Sequence, residues 1–271
     1  MGPQSMDKKM ERLKEIIQEM DSLLVAFSGG VDSTFLVKVA RETLGRGKVA
    51  AVTARSLVYP KREYAPARKL AKGMDVQHFF IDSNELDIPQ FAANPVNRCY
   101  HCKKELFTQL KEIARKMNLS SIAEGSTVDD EADFRPGMTA IQEMSIRSPL
   151  REAGLKKAEI RSQSREFGLP TWNKPSLACL ASRLPYGDRI TFEGLRQIEK
   201  AEQFLIGLGF SQVRVRHHGK TARIEDPPEE IVSLLENHTR TRVVKKLKGI
   251  GFTYVTLDLQ GFRSGSMNEV L

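Results

Sequence analysis

Apolar residues recur along this chain in two rhythms. Between Asp7 and Met20, Met10, Leu13, Ile16, Ile17 and Met20 fall at helical spacing, and the apolar run Leu23 to Phe27 that follows reads as a buried strand. After a Ser28-Gly29-Gly30 turn a second helix is expected from Ser33 to Leu44. The runs Lys48 to Thr53 (KVAAVT), Val76 to Ile81 (VQHFFI) and Ser121 to Glu124 predict three more buried strands. Helical stretches around Pro60 to Lys72 and Cys99 to Met117 separate them. That alternation predicts an α/β fold, a parallel sheet with helices on both faces. Lys156 to Phe167 adds a further helix, ended by Gly168 and Pro170.

Beyond Tyr186-Gly187 the rhythm changes. Phe192 to Leu208 is amphipathic, Gln212 to His217 and Thr221 to Glu225 predict a hairpin about His218-Gly219, and Pro228 to Lys248 reads as helix before a last strand, Tyr254 to Leu257. The expected organisation is one domain over residues 1–186 and a small C-terminal α/β domain over 187–271, with the boundary between 184 and 190.

The 271 residues, 40% hydrophobic and 28% charged, suit a packed globular chain rather than a disordered one. The start, MGPQSMDKKMERLK, has no apolar segment of the signal-peptide kind, and no apolar run is long enough to span a bilayer. A cytoplasmic protein with no membrane partner is therefore expected. Three cysteines in such a compartment favour metal binding or thiol chemistry over a disulfide framework. The net charge of +8 fits a polyanionic ligand, nucleotide phosphates or nucleic acid, and equally a basic enzyme with no nucleic-acid partner.

The segment LLVAFSGGVDSTFL places two glycines and several hydroxyls between a buried strand and a helix N-terminus. Glycine lets a backbone approach phosphate closely, the free N–H groups of a first helical turn point at it, and the helix dipole favours its charge. Ser28, Ser33 and Thr34 are candidate hydroxyl donors, and Asp32 is a candidate holder of Mg2+ bridging the phosphates. The loop lacks the Gly-Lys-Ser/Thr ending of a Walker loop, which disfavours kinase or GTPase chemistry. A second segment, EGSTVDDEADFRPG from Glu124 to Gly137, offers Asp129 and Asp130 as metal or ribose partners; its plain alternative is a solvated acidic loop.

Cys99 and Cys102 form a C-x-x-C in NPVNRCYHCKKELF, with Asn97 expected as N-cap, so both thiols fall in the first turns of one helix. Cys179, in KPSLACLASRLPYG, meets them only through the fold. Four readings stand open: a redox disulfide, a zinc site with His101 as fourth ligand, unconnected buried thiols, or three thiolates on a 4Fe-4S cluster whose fourth iron has no protein ligand.

The string SGGVDS resembles the PP-loop ATP pyrophosphatases, a group that includes GMP and NAD synthetases and tRNA thiolases. Taken with NRCYHCKKELF, EGSTVDDEADFRPG, RSPLREAGLKKAEIR and KPSLACLASRLPYG, it resembles the LarE family of pyridinium-3,5-biscarboxylate mononucleotide sulfur transferases over most of the chain. That resemblance implies an adenine nucleotide alpha hydrolase-like fold. It also implies cleavage of ATP to AMP and pyrophosphate, adenylation of a substrate carboxylate and its conversion to a thiocarboxylate, in synthesis of a nickel-pincer cofactor. It implies a homo-oligomer acting on a small nucleotide, with no nucleic acid.

The same resemblance implies nucleotide contacts from Ser28, Gly29, Gly30, Asp32, Ser33, Thr53, Gly125 and Asp130. In single-cysteine members the residue matching Cys179 gives up its own sulfur and becomes dehydroalanine. The added Cys99 and Cys102 make this chain resemble the three-cysteine kind, in which a 4Fe-4S cluster carries the sulfide. Lys103 and Arg183 are then candidates to neutralise charge as the carboxylate attacks the α-phosphate, or plain surface charges beside a turn. Arg214 and Arg216, on one face of a strand, are candidates for the mononucleotide phosphate, with a solvated face as the alternative. Glu202 and Glu225 are weaker candidates for a metal nearby. Rival readings are a tRNA thiolase, an amide-forming synthetase of the GMP or NAD type, and a non-catalytic nucleic-acid module using the basic stretch Arg240 to Lys248.

Overall fold

The computed structural model describes residues 3–130 and 136–271. In chain order its elements are α1 (Pro3–Gln18), β1 (Leu23–Ala26), α2 (Val31–Leu44), β2 (Val49–Arg55), α3 (Tyr64–Gly73), β3 (Gln77–Asp82), α4 (Pro89–Ala92), α5 (Arg98–Lys116) and β4 (Ser121–Ala123). Then come α6 (Gly137–Glu143), α7 (Pro149–Glu152), α8 (Lys157–Glu166), α9 (Phe192–Gly207), β5 (Arg214–His218), β6 (Thr221–Glu225), α10 (Ile231–Leu235), α11 (Asn237–Ile250) and β7 (Tyr254–Leu257). Contacts divide the chain into two units, one of residues 1–56, 61–83 and 97–176, the other of 57–60, 84–96 and 177–271.

The first unit holds a four-stranded parallel sheet in the order β3-β2-β1-β4. Its central strands are apolar over Leu23–Ala26 of β1 and residues 49–52 of β2 because both faces are covered there. Leu23 and Val25 of β1 pack with α1, α2 and α8 through Ile17, Phe35 and Ile160, whereas Leu24 packs on the other side with Phe107 and Leu110 of α5. The α/β expectation therefore holds, and the strands fall within two residues of their expected bounds. In the second unit β5 pairs antiparallel with β6, and β6 parallel with β7. Leu205 of α9 and Leu247 of α11 cover one face of that sheet with Val215 and Ile224.

Two local expectations are corrected. The helix expected over Pro228 to Lys248 is two helices, because Glu236 takes an extended conformation (φ −52°, ψ 135°) between α10 and α11. Asn97 does sit at the N-cap of α5, but its side chain makes no capping hydrogen bond. No described helix is long and apolar enough to cross a membrane.

Candidate active site

The loop from β1 to α2 in the first unit is shaped by what its residues lack. Gly29 has φ +65°, a region open to glycine, and a Cβ there would stand 3.1 Å from Cβ of Ala67 in α3. Gly30 is the N-cap of α2, so the first-turn N–H groups of Val31, Asp32 and Ser33 have no helical acceptor. Ser28 Oγ and Ser33 Oγ lie 3.0 Å apart across the loop, and the Gly30 N–H donates to Ser28 Oγ at 3.3 Å. Asp32 stands half-buried in the first turn. Thr34, next in the helix, is fully buried and its hydroxyl makes no hydrogen bond.

The second loop lies against the same helix start. A Cβ on Gly125 would be 3.1 Å from the Ser33 nitrogen and 3.3 Å from the Asp32 carbonyl carbon, so only glycine fits there without displacing backbone. Beside it Glu124, which sequence reasoning did not single out, is buried and accepts from Ser126 N (3.0 Å), Ser126 Oγ (2.7 Å) and Ser148 Oγ (2.7 Å). Lys103 Nζ approaches the same carboxylate at 3.7 Å. A Cβ on Gly137 would lie 2.8 Å from Lys103 Cδ, so the lysine stem runs directly over that glycine.

Asp129 and Asp130 have structural partners. Asp129 Oδ2 accepts from Lys157 N (2.6 Å) at the start of α8, and Asp130 Oδ2 from Thr127 N (2.8 Å), with Lys157 Nζ 2.7 Å from Asp130 Oδ1. The remainder of the acidic loop, 131–135, lies outside the described residues. Thr53 is buried too: its hydroxyl donates to Phe27 O at 2.6 Å and meets His78 Nε2 at 2.8 Å. Burial, then the Arg68 charge, pushes His78 down to about 4, so the ring is neutral at pH 7 and supports the end of β1. Lys174, also missed from sequence, donates to Gly29 O (2.9 Å) and Glu63 Oε2 (2.6 Å). No local signal marks it, because its partners stand 145 and 111 residues away.

The second unit carries the Cys179 turn. Cys179 precedes a 3-10 turn, Leu180–Arg183. Arg183 is fully buried; its Nε and Nη2 donate to Glu202 Oε1 (2.8 Å) and Oε2 (3.2 Å), and Nη1 to the carbonyls of Ala178 and Cys179, both at 3.0 Å. The reading of Arg183 as a surface charge is thereby excluded, and its contacts are those of a residue that holds the Cys179 backbone. Arg216 donates to Ser182 O (3.1 Å), Glu225 Oε2 (2.6 Å) and Ser266 Oγ (2.9 Å). Arg214 donates to Val213 O (3.0 Å) and stacks over Phe262 with its guanidinium carbon 5.1 Å from the ring centre. Both arginines are buried, so the solvated-face alternative fails. Glu202 and Glu225 are fully buried, and guanidinium donors already fill both carboxylates.

None of the three cysteines is in a disulfide; Cys99 is exposed, and Cys102 and Cys179 are half-buried. Cys99 and Cys102 belong to the first unit and Cys179 to the second. Within each unit, among the described residues, no three His, Cys, Asp or Glu side chains gather as metal ligands. The donors present nevertheless suit the groups in question: an oxygen ligand, Asp32, beside the phosphate-type cradle suits Mg2+, and three thiols suit iron and sulfide.

A family model described as NAD synthase matches residues 6–122. The pyridinium-3,5-bisthiocarboxylic acid mononucleotide synthase of Lactiplantibacillus plantarum is 39% identical over 97% of this chain and 95% of its own length. The chain belongs to the LarE family. An uncharacterized protein of Synechocystis sp. is 42% identical over 98% of this chain and 99% of its own. The argininosuccinate synthase of Natronomonas pharaonis is 26% identical over 57% of this chain and 41% of its own.

Proposed function

We propose that this protein is an ATP-dependent sulfur transferase that adenylates a carboxylate of pyridinium-3,5-biscarboxylate mononucleotide, releases pyrophosphate and converts the carboxylate to a thiocarboxylate. The observation that carries the reading is the cradle at Ser28–Ser33, closed by Gly125 at a distance that admits no side chain. ATP lies with its phosphates over Gly29, Gly30 and Ser33, where helix N–H groups and the dipole meet negative charge. Asp32 holds Mg2+, and Thr53 and Asp130 shape the walls around the nucleotide. Lys103, running from α5 to Glu124, offsets charge at the attacked α-phosphate.

In the second unit Arg214 and Arg216 bind the mononucleotide phosphate, Arg183 orients Cys179, and Glu202 and Glu225 balance the arginines rather than hold a metal. The first unit serves the nucleotide, and the second serves substrate binding and assembly of a homo-oligomer in the cytoplasm. Cys99 and Cys102 of the first unit and Cys179 of the second are the thiolates that would serve as ligands of a 4Fe-4S cluster, which would supply an iron able to carry sulfide. Three cysteines outside any disulfide in one LarE chain support this donor set.

The test is product analysis with the pyridinium mononucleotide, ATP, Mg2+ and sulfide on anaerobically reconstituted protein. AMP and pyrophosphate are expected, with several turnovers and an unchanged mass at Cys179. ADP as main product sinks the adenylation reading; a single turnover with dehydroalanine at 179 sinks the cluster alone. Asp32→Ala is expected to cut AMP release about 100-fold or more, on the order of what losing one preorganised charge stabiliser costs.

A further inference from the structure

We infer that Lys174 is a positioning residue that fixes the orientation of the Gly29–Gly30 peptide, a role that rests on the nucleotide reading above and deepens it. The backbone carrying Lys174 is itself held, since Arg161 of α8 donates from Nη1 to Trp172 O (2.8 Å) and from Nη2 to Lys174 O (2.9 Å). From that anchored base the ammonium reaches Gly29 O at 2.9 Å and Glu63 Oε2 at 2.6 Å. Glu63 is buried, so the ion pair lies largely out of water and is strong.

A trans peptide is planar, and its C=O and N–H point in opposite directions. Drawing the Gly29 oxygen onto Lys174 therefore aims the Gly30 N–H to the opposite side, the side of Ser28 Oγ. With glycine on both sides this peptide can rotate by half a turn at small cost, carrying Gly30 from its present φ of −80° into the positive range. The rotated unit presents a carbonyl oxygen where a phosphate oxygen must sit, and two acceptors repel. Lys174 biases the loop toward the donor-out arrangement. A loop that contains no lysine thus uses one from 145 residues away to orient its own backbone.

The test is calorimetric binding of Mg2+ and α,β-methylene-ATP, which resists cleavage between its α- and β-phosphates, to the full chain. Lys174→Met is made together with Glu63→Gln, so that no buried carboxylate is stranded, and is expected to weaken binding about 10-fold or more, the scale of one charge-assisted hydrogen bond. Lys174→Arg, which keeps donors, should retain most of the affinity. Gly30→Ala confines residue 30 to negative φ, which the present loop already has, and so removes the rotated state. In that background the same lysine change should weaken binding less than about 3-fold. An equal loss in both backgrounds, or a loss under about 3-fold in the native background, overturns the proposal. Failure of the unaltered protein to bind the nucleotide overturns the nucleotide reading itself, a separate result.

Discussion

The loop at residues 28–30 and the turn at residues 179–183 are built on opposite plans. The loop works by omission: Gly29 and Gly125 are bare where any carbon would meet Ala67 or the Ser33 backbone, and Gly30 at the N-cap of α2 offers no side chain to its first turn. The turn works by saturation, with the fully buried Arg183 donating to the fully buried Glu202, to two carbonyls and to Ser182 Oγ. A site of the first plan gains its strength only when the ligand arrives. One of the second plan is complete in itself and spends its charge on geometry.

The largest expected effect tests the saturated side. Arg183→Ala leaves Glu202 buried without its counter-charge and should destabilise the second unit by about 3–5 kcal/mol, read from urea denaturation. Removing both partners, Arg183→Met with Glu202→Leu, should recover much of that loss. If the single variant unfolds like the unaltered protein, the frame contributes nothing and the contrast collapses.

That contrast also governs what was legible in the sequence. The SGGVDS string and the apolar runs around it declare the strand, the turn and the helix start, because glycine geometry and strand burial are local properties. The glycine at 125 is visible in the same way. Arg183 was legible as a charged residue near Cys179 but not as a buried one, since Glu202 is 19 residues away and only the packing of α9 brings it there. Lys174 and Glu63 depend on still longer separations. Glu236 defeated the helix reading for a different reason: nothing in its side chain announces the extended backbone that parts α10 from α11.

A smaller effect sharpens the open side. Gly125→Ala puts a methyl 3.1 Å from the Ser33 nitrogen and should push the first turn of α2 out of register with the phosphates. The expected result is a KM for ATP raised about 10-fold with stability lowered by only ~1–2 kcal/mol, as overpacking usually costs. Steady-state AMP release and thermal unfolding separate the two. A loss of stability with no change in KM would detach the second loop from nucleotide binding.

The smallest effect concerns Asp226, fully buried with neither carboxylate oxygen hydrogen-bonded. Burial, then the Glu230 and Glu229 charges, pushes it up to about 7. The folded state therefore prefers the neutral acid, so the stability it contributes is complete below the ordinary carboxylate range near 4 and is lost as pH rises toward 7. Asp226→Asn, neutral at every pH, should raise the unfolding midpoint at pH 8 by about 2–4 °C, roughly 1 kcal/mol, and make no difference near pH 4. An advantage independent of pH would mean that the charge is not what costs stability.

The Cys179 frame has a bearing on what the protein can survive. The hydrogen bonds recorded from Arg183 and Ser182 to residue 179 all end on its carbonyl oxygen, which every amino acid shares. Oxidation, alkylation or loss of sulfur at that position alters the side chain and leaves those bonds intact. The backbone frame is thus indifferent to the chemical state of the Cys179 sulfur, and a chain altered there should keep the fold of its second unit.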